Sequence, residues 1–501
     1  MPPRRPALVR RHLPGLVVAG VFFVVATVYA LSRYAQLLDG AYDLGIFDQV
    51  VRAYSHLRAP IVPIKGDDYL IFGDHFHPIL ATLAPSYWVW DDARALLVAQ
   101  AALLAASVLV VWRFALRRLR TRWVATLVAI GYAFGWAVQG MVDFDFHEVA
   151  FAVPLIAWAI DALDRRRDGE LFVAAALLLL VREDMGVVVA ALGAIRLVRG
   201  LVARGRSSRI WPGAVLVVAG TAAFVLVVGV VVPALNPHGT YSHWDYTGLG
   251  PDIGSSLRAM VTHPAHALHL LVTPSVKLWT LFWLLLPVAF LPLASPYTLV
   301  AVPLLLQRFL DDRPFLWTVH FHYNAPVWVV LVLAAVDGWC RLPRTLRRPA
   351  VGRPLVVVLA ALPLVASLVP VASWTNQFPF GRLVTGAAFR TPAHAGDVAR
   401  AVASVPAGTC VVASSSLATR LDRDHVVTLT EVSARHQDYL VLDLTAHEGD
   451  RFKLVDDVAD IQPGPVYQRA LEDGWTVVER SGPVVVLRAP DRWEPSAACT
   501  P

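Results

Sequence analysis

Charge is scarce in this chain. Only 16% of its 501 residues are Asp, Glu, Lys or Arg, where an ordinary soluble domain has about 25%. Cysteine is scarcer: three residues allow at most one disulfide, which excludes a disulfide-stapled secreted scaffold. Lysine nearly vanishes. Only Lys65, Lys277 and Lys453 occur among the 44 basic residues, so arginine carries the net charge of +6. Apolar residues fill the space, at 56% of the chain and a mean hydropathy of +0.54. Runs such as 211–233 read as membrane spans. This composition excludes a soluble enzyme and a disordered chain. The length of the runs argues against an outer-membrane barrel, whose strands alternate over roughly ten residues.

Arginine placement gives an orientation. The first run, about 14–32, follows an Arg-rich start and lacks a small-residue cleavage site, so it reads as an uncleaved span. Further spans are expected at roughly 94–112, 123–140, 149–163, 212–233, 276–293, 296–310, 322–340 and 354–373. Between Arg165 and Arg209 two short apolar stretches, 171–181 and 185–195, flank Arg182, Glu183 and Asp184. Both outer flanks are Arg-rich, so a two-helix hairpin with the charged triplet at its apex keeps both inside. That gives 11 spans, N-terminus cytoplasmic and C-terminus outside. The segments so placed inside hold 22 Arg, and the longer outside loops hold nine Arg or Lys. The basic pI of about 9.3 therefore reflects membrane orientation, with no nucleic-acid partner. The hairpin halves are short of a ~30 Å hydrocarbon core at 1.5 Å per residue. Their apex charges are expected to line a wet cavity or pair with each other.

The polar clusters lie outward. The first outward loop, 33–93, carries Tyr42-Asp43-Leu44-Gly45-Ile46-Phe47-Asp48-Gln49 and later His75-Phe76-His77-Pro78. The second places Asp143, Asp145, His147 and Glu148 within six residues. Carboxylates this close repel unless a cation or a proton intervenes. Carboxylate oxygens with one imidazole suit a divalent cation such as Mg or Mn, so Asp143, Asp145 and His147 are the expected ligands. Arg308 is a candidate for bidentate contact with a phosphate or for a snorkelling interface residue. His322 and Tyr323 open the next span from the same side.

Residues 374–501 contain no span. Short apolar runs at 409–413, 425–430, 438–443, 475–479 and 483–488, with helix-like stretches at 394–404 and 464–473, read as a small extracytoplasmic α/β domain beside a membrane domain of residues 1–373. No Gly-rich phosphate loop or nucleophile elbow occurs in it. Cys410 is expected either to pair with Cys499 or to sit free in a strand, and Cys340 to stay reduced.

Four strings carry a resemblance: Tyr42 to Gln49, His75-Phe76-His77-Pro78, Asp145-Phe146-His147 and Arg182-Glu183-Asp184. In that order they resemble a bacterial polytopic "predicted membrane protein" family of unknown function, with His77 standing where the family usually has Ser. That family resembles the GT-C glycosyltransferases, multi-span enzymes that use polyprenyl-phosphate sugars. The resemblance implies a GT-C-like, α-helical polytopic membrane protein at the bacterial plasma membrane. It implies transfer of a hexose or pentose from a polyprenyl-phosphate donor to a cell-envelope glycan, lipid or protein acceptor on the outer face. Asp43 lies where such enzymes place an essential carboxylate, and Asp143 and Asp145 where some bind a divalent cation.

The expected machinery follows. Asp43 or, secondarily, Asp48 takes the acceptor proton, with Glu183 and His147 as further catalytic groups. His75, His77, Gln49, Arg182, Asp184, Arg308, His322 and Tyr323 are expected to bind substrate. Arg182, Arg308 or a cation stabilises the departing phosphate. A transporter or lipid flippase, and a non-catalytic assembly protein, are the competing readings. The first calls for carboxylates in the inner half, and none stands out there.

Overall fold

The computed structural model describes residues 5–203, 209–346, 349–368, 379–429, 437–445 and 463–490. Each expected span contains a helix. The chain opens with α1 (Arg5–Ala35), and α2 (Ile46–Ser55) follows within the first loop. Then come α3 (Arg94–Leu119), α4 (Arg122–Ala133), α5 (Trp136–Val142), α6 (Val149–Asp164), α7 (Asp168–Leu178), α8 (Met185–Val202) and α9 (Trp211–Leu226). The membrane part ends with α10 (Val276–Leu285), α11 (Ala301–Leu310), α12 (Asn324–Arg341) and α13 (Pro349–Leu368). Among the described residues four helices are long and apolar enough to cross a membrane, or six if each of two bent pairs is one span. One such pair is α4 with α5, bent by 46° at Phe134 and Gly135. The other expected spans contain helices that fall short of this test in length or in hydropathy.

The hairpin at 171–195 is present, with its apex over residues 179–184. Its second arm differs from expectation. The sequence reading ends it at residue 195, but α8 runs on to Val202. The reason is pairing. Arg196 holds both oxygens of Asp168 (2.7 and 2.9 Å), and Arg199 donates to the Leu163 carbonyl at 3.0 Å. Arg196 is charge-paired and Arg199 is hydrogen-bonded, so the helix need not break.

Glycines set how α8 meets α9. Gly186, Gly193 and Gly200 recur every seven residues on α8. A Cβ at these positions would lie 2.6 Å from the Gly220 carbonyl oxygen, 2.6 Å from the Val217 nitrogen and 2.7 Å from the Arg209 carbonyl oxygen. Only hydrogen fits, and the backbones touch as small residues allow in membranes. This contact fixes the helix that begins at the charged apex.

The bundle has two distinct charged ends. The Arg-rich segments gather at one. There Arg117 reaches Asp161 and Asp164 (2.7 and 2.8 Å), Arg118 pairs with Asp164 and Asp337, and Arg341 pairs with Asp337 at 2.6 Å. These carboxylates correct the expectation of none at this end. Asp161 and Asp337 are buried but ion-paired. The loops 36–93, 143–148, 179–184 and 311–323 gather at the opposite end.

The C-terminal unit joins that second end. It forms the expected five strands: β1 (Cys410–Ala413), β2 (Val426–Leu429), β3 (Tyr439–Asp443), β4 (Thr476–Ser481) and β5 (Val484–Arg488). Their order is β2-β1-β3-β5-β4, with the first three parallel and β5 and β4 antiparallel. Helices α14 (Ala395–Ser404), α15 (Ser415–Leu421) and α16 (Pro463–Glu472) accompany them. Leu417, Ala418 and Leu421 of α15 share one buried core with Ala41, Leu44 and Val50 of the membrane part. Cys410 is disulfide-bonded, and Cys340 keeps its thiol, which donates to the Arg118 carbonyl at 3.7 Å. Cys499 lies outside the described residues.

A bulky side chain at the α8–α9 contact should therefore be costly. Gly193→Val is expected to destabilise the protein by roughly 1–3 kcal/mol through overpacking, read as a lower midpoint in a detergent thermal melt. Gly229→Val, where a Cβ meets nothing within 4 Å, serves as the control and should leave the midpoint unchanged.

Candidate functional site

Asp43 sits in a backbone conformation that side chains avoid. Its φ of 73° and ψ of −83° lie in the γ-turn region, which is rare and strained for a residue with a Cβ. The chain leaves α1, passes Gly40, kinks at Asp43 and enters α2 at Ile46. Hydrogen bonds hold both sides of the kink. Gly40 N–H donates to Asp145 Oδ2 and Ala41 N–H to Ser415 Oγ, each at 2.9 Å.

Asp43 begins a chain of charged contacts. Its Oδ1 lies 3.7 Å from His147 Nε2, and His147 Nδ1 lies 2.6 Å from Glu148 Oε2. Glu148 Oε1 meets Arg182 Nη1 at 3.3 Å, and Arg182 holds Asp184 with two donors, 2.9 and 2.5 Å. His322 stacks on His147 at 3.7 Å between ring centroids, and Tyr323 packs on His322. Asp43, His147, Arg182, Asp184, His322 and Tyr323, drawn from four separate segments, thus converge. Glu148, fully buried, is the link that the sequence reading left without a role; its signal was its place directly after His147.

Electrostatics separates the carboxylates. Burial pushes the Asp43 carboxyl up to about 6, against the pull of His147 and with help from Asp145 and Glu148. Burial also raises Glu148, but His147 and Arg182 outweigh it and hold it well below the usual carboxylate range. Asp43 is therefore the group poised to exchange a proton near neutrality, and Glu148 is a fixed anion. Burial likewise drives His322 well below its ordinary value, with repulsion from His147 and Arg182. Both its ring nitrogens are buried without a hydrogen-bond partner.

A second cluster adjoins the first through the apex. Glu183 Oε1 accepts from Tyr241 Oη at 2.8 Å and lies 2.7 Å from His75 Nδ1, while Oε2 accepts the Phe76 N–H at 3.0 Å. Burial opposes its charge, but His75 and Arg182 bring its carboxyl down to about 2. His75 stacks on His243 at 4.0 Å, and His243 meets Asp74 at 2.9 Å. Among the described residues, Asp74, His75 and His243 are the group whose ligand atoms lie close enough to share a metal ion. Lys65 Nζ, 3.2 Å from Asp74 Oδ2, already brings a positive charge there.

Asp143 and Asp145, two of the three expected metal ligands, both face a guanidinium. Arg33, at the end of α1, lies 3.4 Å from Asp143 and 3.3 Å from Asp145. Tyr29 Oη donates to Asp143 at 2.5 Å. The guanidinium occupies the place between the two aspartates, and His147 turns to Asp43 and Glu148.

Four expected site residues are engaged elsewhere. Asp48 is fully buried, bound by Arg52 (3.1 Å) and Tyr87 (2.5 Å). Gln49 donates to Asp422 (2.8 Å) and the Val427 carbonyl (2.9 Å), and accepts from the Ile64 N–H. Arg308 spends its donors on the carbonyls of Leu316, Thr318 and Tyr323 and on Asn324 Oδ1, so no bidentate face is left for a phosphate. His77 is buried beside Phe47 and Phe72, its proton affinity lowered to about 4 chiefly by burial.

A family described as "Predicted membrane protein (DUF2079)" matches residues 33–458. No curated protein matches the sequence. Among solved structures, ArnT from Cupriavidus metallidurans bound to undecaprenyl phosphate is similar with a TM-score of 0.52 at 13% identity, over 95% of this chain and 99% of that one. The apo state of the same ArnT gives 0.46 at 14% identity, over 95% and 98%. The similarity is one of fold.

The raised Asp43 carboxyl has a consequence for stability. A carboxyl whose folded value lies above its unfolded one opposes folding when ionised. That cost is absent below about pH 4 and complete once the pH passes about 6. Asp43→Asn should raise the melting midpoint at pH 8, with the gain shrinking to nothing at pH 4. A gain equal at both pH values would mean that Asp43 is not held in its raised state.

Proposed function

Since the chain belongs to the DUF2079 family of predicted membrane proteins, and since its fold is that of ArnT, we propose that it is a membrane glycosyltransferase of GT-C type. The proposed donor is a polyprenyl-phosphate-linked sugar. The proposed acceptor is a glycan, lipid or protein of the bacterial cell envelope, on the outer face of the plasma membrane. The site end of the bundle and the C-terminal unit are then extracytoplasmic and the Arg-rich end cytoplasmic. The observation that carries the reading is the convergence of Asp43, His147, Glu148 and Arg182 at one end of the helices.

In this mechanism Asp43 accepts the proton of the acceptor hydroxyl. The acceptor oxygen bonds to the anomeric carbon, and the bond from that carbon to the phosphate oxygen breaks. The electron pair leaves with the lipid phosphate. General-base help of this kind is worth about 10²–10⁴-fold. His147, held by Glu148, faces the Asp43 carboxyl and takes up part of its charge. Arg182 is the cation nearest this chain and is the proposed partner of the departing phosphate. Arg33 plays the part expected of a divalent cation at Asp143 and Asp145, and no step is assigned to a metal.

The flippase reading draws less support. Its expected inner carboxylates exist as Asp161, Asp164 and Asp337, but each is bound by arginine.

Asp43→Asn is expected to lower transfer by about 10²–10⁴-fold. The assay is release of polyprenyl phosphate from a polyprenyl-phosphate hexose by membranes holding normal amounts of protein, together with lipid-sugar profiles of the host. Asp48→Asn should act through folding yield and leave the rate per folded molecule unchanged. Profiles identical to wild type in Asp43→Asn would overturn the assignment.

A further inference from the structure

One seven-residue helix of the C-terminal unit grips the segment that carries Asp43. Ser415, at its start, accepts the Ala41 N–H through Oγ at 2.9 Å. The buried Asp39 carboxylate accepts from Thr419 Oγ1 at 2.5 Å and from the Arg420 guanidinium on both oxygens, 2.9 and 3.1 Å. Arg420 also donates to the Tyr34 carbonyl at 2.5 Å and lies 4.3 Å from the Tyr34 ring centre. Just past the helix, Asp422 accepts from Gln49 at 2.8 Å. All these partners fall within residues 34–49, and Asp43 lies among them. From the opposite side, Asp145 takes the Gly40 N–H.

A non-glycine residue at φ 73° relaxes to ordinary conformations unless its surroundings over-determine it. The surroundings that do so here are the hydrogen bonds at Asp39, Gly40 and Ala41. They come in addition to docking. Leu417, Ala418 and Leu421 already bury the C-terminal unit against Ala41, Leu44 and Val50. A polar clasp is not needed to keep the two parts together, and it can be cut without separating them.

We propose that α15 is a positioning element of the site: Ser415, Thr419 and Arg420 hold residues 39–41 so that Asp43 keeps its strained turn and faces His147. The inference rests on the reading of Asp43 as the proton acceptor. It makes the C-terminal unit part of the catalytic apparatus, acting through backbone geometry with no contact to substrate.

The test uses the full chain in detergent. In Ser415→Ala, hydrogen exchange of peptides covering 38–46 should speed up about tenfold, the size of one lost hydrogen bond. The protection of β1, β3 and β5 should not change. With a polyprenyl-phosphate hexose as probe, kcat should fall about tenfold while KM stays within about twofold. Ser415→Thr, which keeps the hydroxyl, should restore both readouts. Arg420→Lys, which loses the two-point hold on Asp39, should give the same pattern at least as strongly. Unchanged exchange at 38–46 in Ser415→Ala, or a kcat loss that Thr does not recover, overturns the proposal. The exchange arm needs no substrate. Full transfer by Asp43→Asn would sink the assignment of the base while leaving the exchange result standing. An inactive Asp43→Asn beside a Ser415→Ala that is normal in both readouts would sink the clasp alone.

Discussion

A buried carboxylate reached by an imidazole and a guanidinium organises the site end of this protein. Glu148 has no exposed surface. Its charge survives burial only because His147 and Arg182 reach it from different segments. Removing one partner from such a buried pair typically costs about 3–5 kcal/mol. Loop 143–148 and the hairpin apex at 179–184 are therefore tied together by an interaction that neither can give up. His147 is oriented by this tie and faces Asp43, whose turn is held at Gly40 and Ala41. Arg182 is anchored on its other side by Asp184, and its neighbour Glu183 gathers His75, Phe76 and Tyr241. The rest of the constellation hangs on that anion.

Much of this was legible in the sequence, for reasons that differ by element. Hydropathy alone located the helices, because lipid imposes a strong and local demand on composition. Arginine flanks disclosed the hairpin, since a single span would have stranded one basic cluster on the wrong side. Short apolar runs disclosed all five strands of the terminal sheet. The strings around Asp43, His147 and Arg182 were legible as polar groups at span ends, and the structure brings them together. What stayed hidden was the identity of each partner. Arg308 looks like a phosphate ligand until the carbonyls of Leu316, Thr318 and Tyr323 are seen to fill it. Gln49 sits inside the most distinctive string in the chain, yet its partners Asp422 and Val427 lie more than 370 residues away. Spacing reveals which side chains share a face. It is silent on contacts that only the closed fold creates.

The two ends treat charge differently. At the Arg-rich end, Asp161, Asp164 and Asp337 each meet a guanidinium, and the pairs close on themselves. At the other end Asp43 is a quarter exposed, and its ion-pair contact among the described residues is with a histidine at 3.7 Å. His322 keeps two unpartnered nitrogens beside it. Polar groups left unsatisfied in a low-dielectric setting are expensive. Single unpartnered nitrogens also occur in the ion pairs of the Arg-rich end, on Arg117 and Arg118; what distinguishes the ends is that the carboxylates there are held by guanidinium groups while Asp43 faces an imidazole.

The hairpin carries a further consequence. Because Arg196 pairs with Asp168, the part of α8 alongside α7 is the stretch 185–196. At 1.5 Å per residue it rises about 18 Å, against a hydrocarbon thickness of about 30 Å. Glu183 and Asp184 are buried and paired within the protein, so a short arm brings charge inward without presenting it to lipid. The arm works as a spacer, and its length sets how far the charged apex reaches along the bundle.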